Sequence, residues 1–234
     1  YKMMGRFTAQ MLLIEGLFLI PALLISLFLG ESAAAYGFAV TLGLIALVGG
    51  PMYFFCRDAK SAFYATDGMV CVAISWLVLS LVGAIPFYIS EAIPSYVDAL
   101  FETVSGFTTT GASILPEVEH MAKGLMYWRS FTHWVGGMGV LVFLLAVAPS
   151  KGNEQGFTMH LLRAESPGPS VGKLVPKMRK TAAILYFLYI ILTVLDFLFL
   201  VVGGMPVFDA VCTAFGTAGT GGFGIKNDSI ASYS

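Results

Sequence analysis

Three threonines, Thr108, Thr109 and Thr110, stand in a row before Gly111 in the stretch SGFTTTGASIL at residues 105–115. A second stretch of the same character, FGTAGTGGFGI at residues 215–225, holds Gly219, Thr220 and Gly221. Both lie between apolar runs and neither carries a charge. Hydroxyl and peptide oxygens without a carboxylate suit the lining of a cation path, where backbone carbonyls replace the ion's hydration shell. Gly111 and Gly221 permit backbone angles that a Cβ resists. Irregular backbone at membrane depth persists only where it is buried in protein or lines a water-filled cavity. Thr109, Thr110, Gly111, Gly219, Thr220 and Gly221 are therefore the candidate cation-binding residues.

The elements that must position them follow from composition. Hydrophobic residues make up 57% of the 234 and charged residues 12%, about half the charge of a soluble domain. The sequence predicts an all-α integral membrane protein. A span needs roughly 20 apolar residues, and five segments qualify, at about 7–29, 33–55, 69–89, 125–148 and 181–202. SYVDALFETVS and PVFDAVCTAF are too short to cross, and each runs straight into one of the polar stretches. They read as re-entrant pore helices, whose partly negative C-terminal ends face the cation.

Lysine and arginine fix the orientation. With the N-terminus cytoplasmic, only Lys123, Arg129 and Lys226 of the 13 basic residues fall toward the outer side. Both loops then enter from outside, in two parallel repeats of helix, pore helix, loop and helix. The organisation is two N-terminal transmembrane helices at 1–60, a first repeat at 61–150, a cytoplasmic linker at 151–176, and a second repeat at 177–234 that stops after its loop. Asp98-Ala99 reappears as Asp209-Ala210, and TTGA (109–112) pairs with GTGG (219–222) once one residue is skipped, matching Gly111 with Gly221. A carbonyl ring needs about four such loops, so the natural protein is expected to continue with about two and a half more repeats' worth of helices.

Asp98 and Asp209 read either as helix caps or as attractors of cations at the outer mouth. Glu102, inside the first pore helix, reads as a hydrogen-bonded anchor for the loop, with ion contact the alternative. Arg129 either snorkels to headgroups or pairs with an acid near the pore. His133 reads as a packed polar residue rather than a metal ligand, and EVEH (117–120) as a solvated loop. Gly136, Gly137 and Gly139 let their helix approach a loop closely. Glu15 and Asp196 have no visible partner.

Other classes fit less well. GTGGFG (219–224) has the form of a dinucleotide fingerprint but lacks the strand and helix that fingerprint requires. Cys56, Cys71 and Cys212 match neither a disulfide framework nor a metal-ligand spacing. No nucleophile–base pair or paired carboxylate suggests an enzyme, no cofactor is expected, and no basic arm suggests nucleic acid. An ion-coupled secondary transporter, with Na+ or H+ moving alongside the carried cation, is the runner-up; a closed midplane site would need inverted repeats, and these are parallel.

The stretches FETVSGFTTTGAS, WRSFTHWVGGMGVLVFLLAVAP, RAESPGPSVGKLVPKMRKTAAILY and TAFGTAGTGGFG together resemble the Trk/Ktr/HKT potassium transporters, and among them the TrkH type. The two extra N-terminal helices are similar to the pair that sets the Trk type apart from the shorter Ktr type. The resemblance implies K+ uptake across the cytoplasmic membrane, four linked repeats around one pore, a homodimer, and a cytosolic nucleotide-binding regulatory subunit of TrkA type. Rb+ would serve as a surrogate ion. By the same resemblance, residues 109–111 and 219–221 are filter residues, and serine at Gly111 or Gly221 would weaken discrimination against Na+. The family's gating loop and the basic pore residue of its last helix lie outside this sequence. The basic stretch at 150–180, with Lys177 and Arg179, is a candidate docking surface for the regulator.

Overall fold

The structure, a computed structural model, describes residues 2–57, 65–139 and 178–233. Its helices are α1 (Lys2–Phe28), α2 (Ser32–Cys56), α3 (Ala65–Gly83), α4 (Ile85–Ile89), α5 (Tyr96–Phe107), α6 (Lys123–Met138), α7 (Met178–Val202) and α8 (Val207–Ala218), followed by a short 3-10 turn at Ala231–Tyr233. Among the described residues, four stretches are long and apolar enough to cross a membrane: Lys2–Phe28, Ser32–Cys56, Met69–Ile89 and Ala183–Val202. The far end of the expected span at 125–148 and the whole linker at 151–176 lie outside the described residues.

The expected span at 69–89 is broken at Ala84. Pro86 has no N–H to continue the ladder, so a bend there is the ordinary consequence. The break turns the chain over the top of α2, where a Cβ on Gly37 would lie 2.9 Å from the carbonyl oxygen of Pro86.

The core is built around α6. Trp128 is fully buried and donates its indole N–H to the carbonyl of Gly83 at 3.0 Å. Phe131 meets Phe18 of α1, Trp134 of its own helix and Phe215 of α8, with ring centroids 5.2–5.3 Å apart. The N-terminus of α6 is capped from far away in sequence. Glu31 accepts from the N–H of Lys123 at 2.7 Å and of Gly124 at 3.1 Å, which places negative charge at the positive helix end. The second repeat is joined to this core by Tyr189, whose hydroxyl donates to the carbonyl of Trp134 at 3.0 Å, and by the Trp134 indole N–H to Thr193 at 3.0 Å. Leu185, Leu188, Leu192 and Leu195 line an outward stripe of α7, a surface suited to lipid or another apolar partner.

Candidate functional site: the paired loops

The two short helices end in the same way. After α5, the N–H groups of Thr109 and Thr110 donate to the carbonyls of Gly106 (3.0 Å) and Ser105 (2.9 Å). After α8, those of Thr220 and Gly221 donate to Thr217 (3.0 Å) and Gly216 (3.0 Å). Each pair of bonds is a Schellman closure, which normally places glycine in the left-handed position. Here that position holds threonine, with φ of 54° at Thr109 and 56° at Thr220. A β-branched residue there is an outlier and costs about 1–2 kcal/mol. Strain repeated at matched places is a sign of function rather than of stability.

This geometry corrects the sequence pairing. Thr220 matches Thr109, and Gly222 (φ 83°) matches Gly111 (φ 75°). The offset equals that between Asp98 and Asp209, so no residue is skipped. Gly221 therefore corresponds to Thr110, and Gly219, the C-cap of α8, to Thr108, the C-cap of α5.

The loops touch. A Cβ on Gly111 would fall on the carbonyl oxygen of Gly221. The Thr108 and Thr110 hydroxyls lie 2.8 Å apart. Among the described residues, no donor reaches the carbonyl oxygens of residues 109–111 or 220–222. These residues are exposed or half-buried, so their carbonyls are open to water or to a cation.

Two buried side chains hold the loops in place. Glu102 is 1% exposed and its carboxylate accepts from the Ser113 hydroxyl (2.9 Å), the Ile114 N–H (2.9 Å) and Arg129 Nε (2.6 Å). The anchoring reading of Glu102 stands. Arg129, 3% exposed, does not snorkel; it pairs with Glu102 and also donates to the Ser113 hydroxyl (3.2 Å) and the Gly224 carbonyl (2.9 Å). Its guanidinium lies 3.7 Å from the Phe223 ring centroid. One side chain thus ties both loops to α6. Nothing in the local sequence signals its reach to Ser113, Phe223 and Gly224, which only the fold brings together.

The glycine pair in α6 provides the close approach expected of it. A Cβ on Gly136 would fall on the Phe107 carbonyl, and one on Gly137 would lie 2.6 Å from Gly219 Cα. Gly139 ends the described part of α6 with φ 66°. His133 is fully buried against the second loop.

The remaining candidates divide. Asp98 and Asp209 are not the caps. Ser95 caps α5 and accepts from the Asp98 N–H at 3.4 Å, while Pro206 occupies that position in α8. Both aspartates sit in the first turn, where they oppose the positive helix end, and Asp209 accepts from the Tyr233 hydroxyl at 2.7 Å. EVEH is more than a solvated loop. Val118 N–H donates to Asn227 at 2.9 Å, and Glu119 accepts from the Asn227 N–H at 3.1 Å and lies 3.8 Å from Lys226. Among the described residues, no group of His, Cys, Asp or Glu could hold a metal ion. Glu15 has no hydrogen-bond partner on either oxygen, and Asp196 none on Oδ2, among the described residues.

Glycine at the left-handed threonine sites is expected to be stabilising. Thr109→Gly and Thr220→Gly should each gain about 0.5–1 kcal/mol, the relieved strain less the entropy of a freer unfolded glycine. Thermal midpoints in detergent read the gain. A loss of ion discrimination in the same variants would mark the strain as functional.

Two units of long helix, short helix and polar loop, with four stretches apolar enough to cross a membrane among the described residues, define an all-helical membrane protein. The profile of the TrkH family, described as cation transport protein, matches residues 36–234. This chain belongs to that family. It is 35% identical over 234 residues to the Trk system potassium uptake protein TrkH of Halomonas elongata, covering 99% of this chain and 48% of the relative. It is 31% identical over 217 residues to the Trk system potassium uptake protein TrkG of Escherichia coli, covering 92% of this chain and 44% of the relative. The crystal structure of the potassium transporter TrkH from Vibrio parahaemolyticus superposes with a TM-score of 0.68 at 29% identity, over 90% of this chain and 42% of that one. The chain spans about half the length of the curated relatives it matches.

Proposed function

We propose that this chain supplies two of the filter loops of a K+ uptake pore, as part of the membrane subunit of a Trk-type system in the cytoplasmic membrane. The observation that carries the reading is the matched exit of α5 and α8, each through a left-handed threonine with a glycine two residues on. Carbonyls of residues 109–111 and 220–222 take the place of water around the ion, and Gly219 forms the floor on which the second loop starts. K+ holds its water less tightly than Na+, so a fixed set of oxygens replaces the K+ shell at lower cost. The C-terminal ends of α5 and α8 add partial negative charge beside the ion. No covalent chemistry and no cofactor enter this reading.

The relatives' names as potassium uptake proteins support K+ as the cargo. A homodimer and a TrkA-type nucleotide-binding regulator complete the proposed assembly, with the basic stretch at 150–180 as its docking surface. Liposomes holding the assembled transporter should take up Rb+ in competition with K+, and resist Na+ and choline. Uptake of Na+ equal to that of Rb+ would refute the reading.

The proposed orientation has its own test. With the native cysteines replaced, a cysteine at Asn153 should resist a membrane-impermeant thiol reagent applied to intact cells. Ready labelling from outside would reverse the topology.

A further inference from the structure

We propose that His133 is a specificity-determining positioning residue. Its ring is the wall that holds the second loop at the distance the permeant ion requires. The inference rests on the filter reading above and goes beyond it.

His133 lies on α6, in the first repeat, yet what it touches belongs to the second. A Cβ on Gly221 would fall on the imidazole atoms Nδ1, Cε1 and Cγ. One on Gly219 would fall on the His133 backbone carbonyl. The ring stacks on Phe223, with centroids 4.0 Å apart and planes 24° from parallel. Arg129, one turn earlier on the same helix, holds Phe223 and Gly224. Residues 219–224 are thus supported at both ends by α6.

The contact acts through shape. Among the described residues, neither ring nitrogen has a hydrogen-bond partner, and the Gly221 N–H is already given to Gly216 at 3.0 Å. Two dry nitrogens cost stability that an apolar side chain of similar size would not forfeit. What the imidazole provides is a thin, flat body that fits between the Gly221 backbone and Phe223. The effect extends to the first loop, because Gly111 abuts the Gly221 carbonyl. Removing the ring opens space behind Gly221, so its carbonyl can shift and the oxygens no longer hold one spacing. A larger ring drives the same peptide toward the ion path.

The test uses the assembled transporter in liposomes and compares wild type, His133→Ala and His133→Phe by the ratio of Na+ to Rb+ flux. That ratio does not depend on how much protein inserts. His133→Ala is expected to raise it about tenfold, equivalent to about 1.4 kcal/mol of lost discrimination. His133→Phe is expected to lower Rb+ flux without raising the ratio. If His133→Ala inserts and keeps the wild-type ratio, the proposal is overturned. Failure of both variants to insert would make the ring a folding element and overturn it as well. Gly222→Ser separates the two levels. If Gly222→Ser keeps full discrimination, the filter reading itself fails; if it loses discrimination and His133→Ala does not, only the role of His133 fails.

Discussion

Gly222→Ser is expected to cost the transporter its discrimination between K+ and Na+, whereas Gly221→Ser is expected to cost it the fold. The two glycines are neighbours, but their surroundings differ. Gly222 has φ 83° and open space where a Cβ would stand. Serine there adds backbone strain of about 1–3 kcal/mol without a collision, so the loop re-aims its carbonyls while the rest of the protein holds. Gly221 presses on the buried ring of His133. Overpacking a fixed core costs about 1–3 kcal/mol and sometimes more, and the ring is held from behind by Phe223. Gly111→Ser combines both effects, since φ is 75° and its Cβ would fall on the Gly221 carbonyl. The measurement is Rb+ and Na+ flux in liposomes, alongside monodispersity in detergent. Equal behaviour of the Gly221 and Gly222 variants would contradict the corrected pairing of the loops.

The second large effect concerns the Glu102–Arg129 pair. Its Nε–Oε1 distance is 2.6 Å, with side chains 1% and 3% exposed. Removing one partner of a buried ion pair leaves the other charged and dry, at about 3–5 kcal/mol. Glu102→Gln and Arg129→Gln should each lower the thermal midpoint sharply and abolish transport. The double variant Glu102→Leu/Arg129→Met removes both charges and should recover part of the stability. The recovery is partial because the Gly224 carbonyl and the Ile114 N–H lose their partners too. A double-mutant cycle with Glu102→Leu and Arg129→Met as its single variants reads the coupling. Additive losses would show that the pair is not a unit.

Much of this architecture is legible in the sequence, and the exceptions share a cause. Apolar length alone marks four of the five expected spans, the fifth running beyond the described residues, and the polar stretches after short helices mark the loops. Glu102 is readable as an anchor because a lone acid within a pore helix must find a donor. Gly136 and Gly137 are readable as a close approach because a helix of bulky residues has no other reason for two adjacent glycines. The register between the loops is only half readable. Three consecutive threonines before one glycine can be laid on GTGG in two ways; the Asp98–Asp209 offset favours one of them, and the helix exits settle it. The depth of Arg129 is likewise hidden, since a basic residue near a span end fits headgroups as well as a buried acid. The Ser95 cap is masked in the sequence by Asp98, three residues on, which is also a capping type. Glu31 reaches the start of α6 from the α1–α2 turn, a contact that no local pattern announces.

Heavy-atom anomalous scattering from the assembled transporter prepared with Rb+ in place of K+ tests the central claim most directly. The account predicts Rb+ peaks within coordination distance of the carbonyl oxygens of residues 109–111 and 220–222, lost when Gly222 is changed to serine. Rb+ bound elsewhere in the protein, with none at those oxygens, would contradict it.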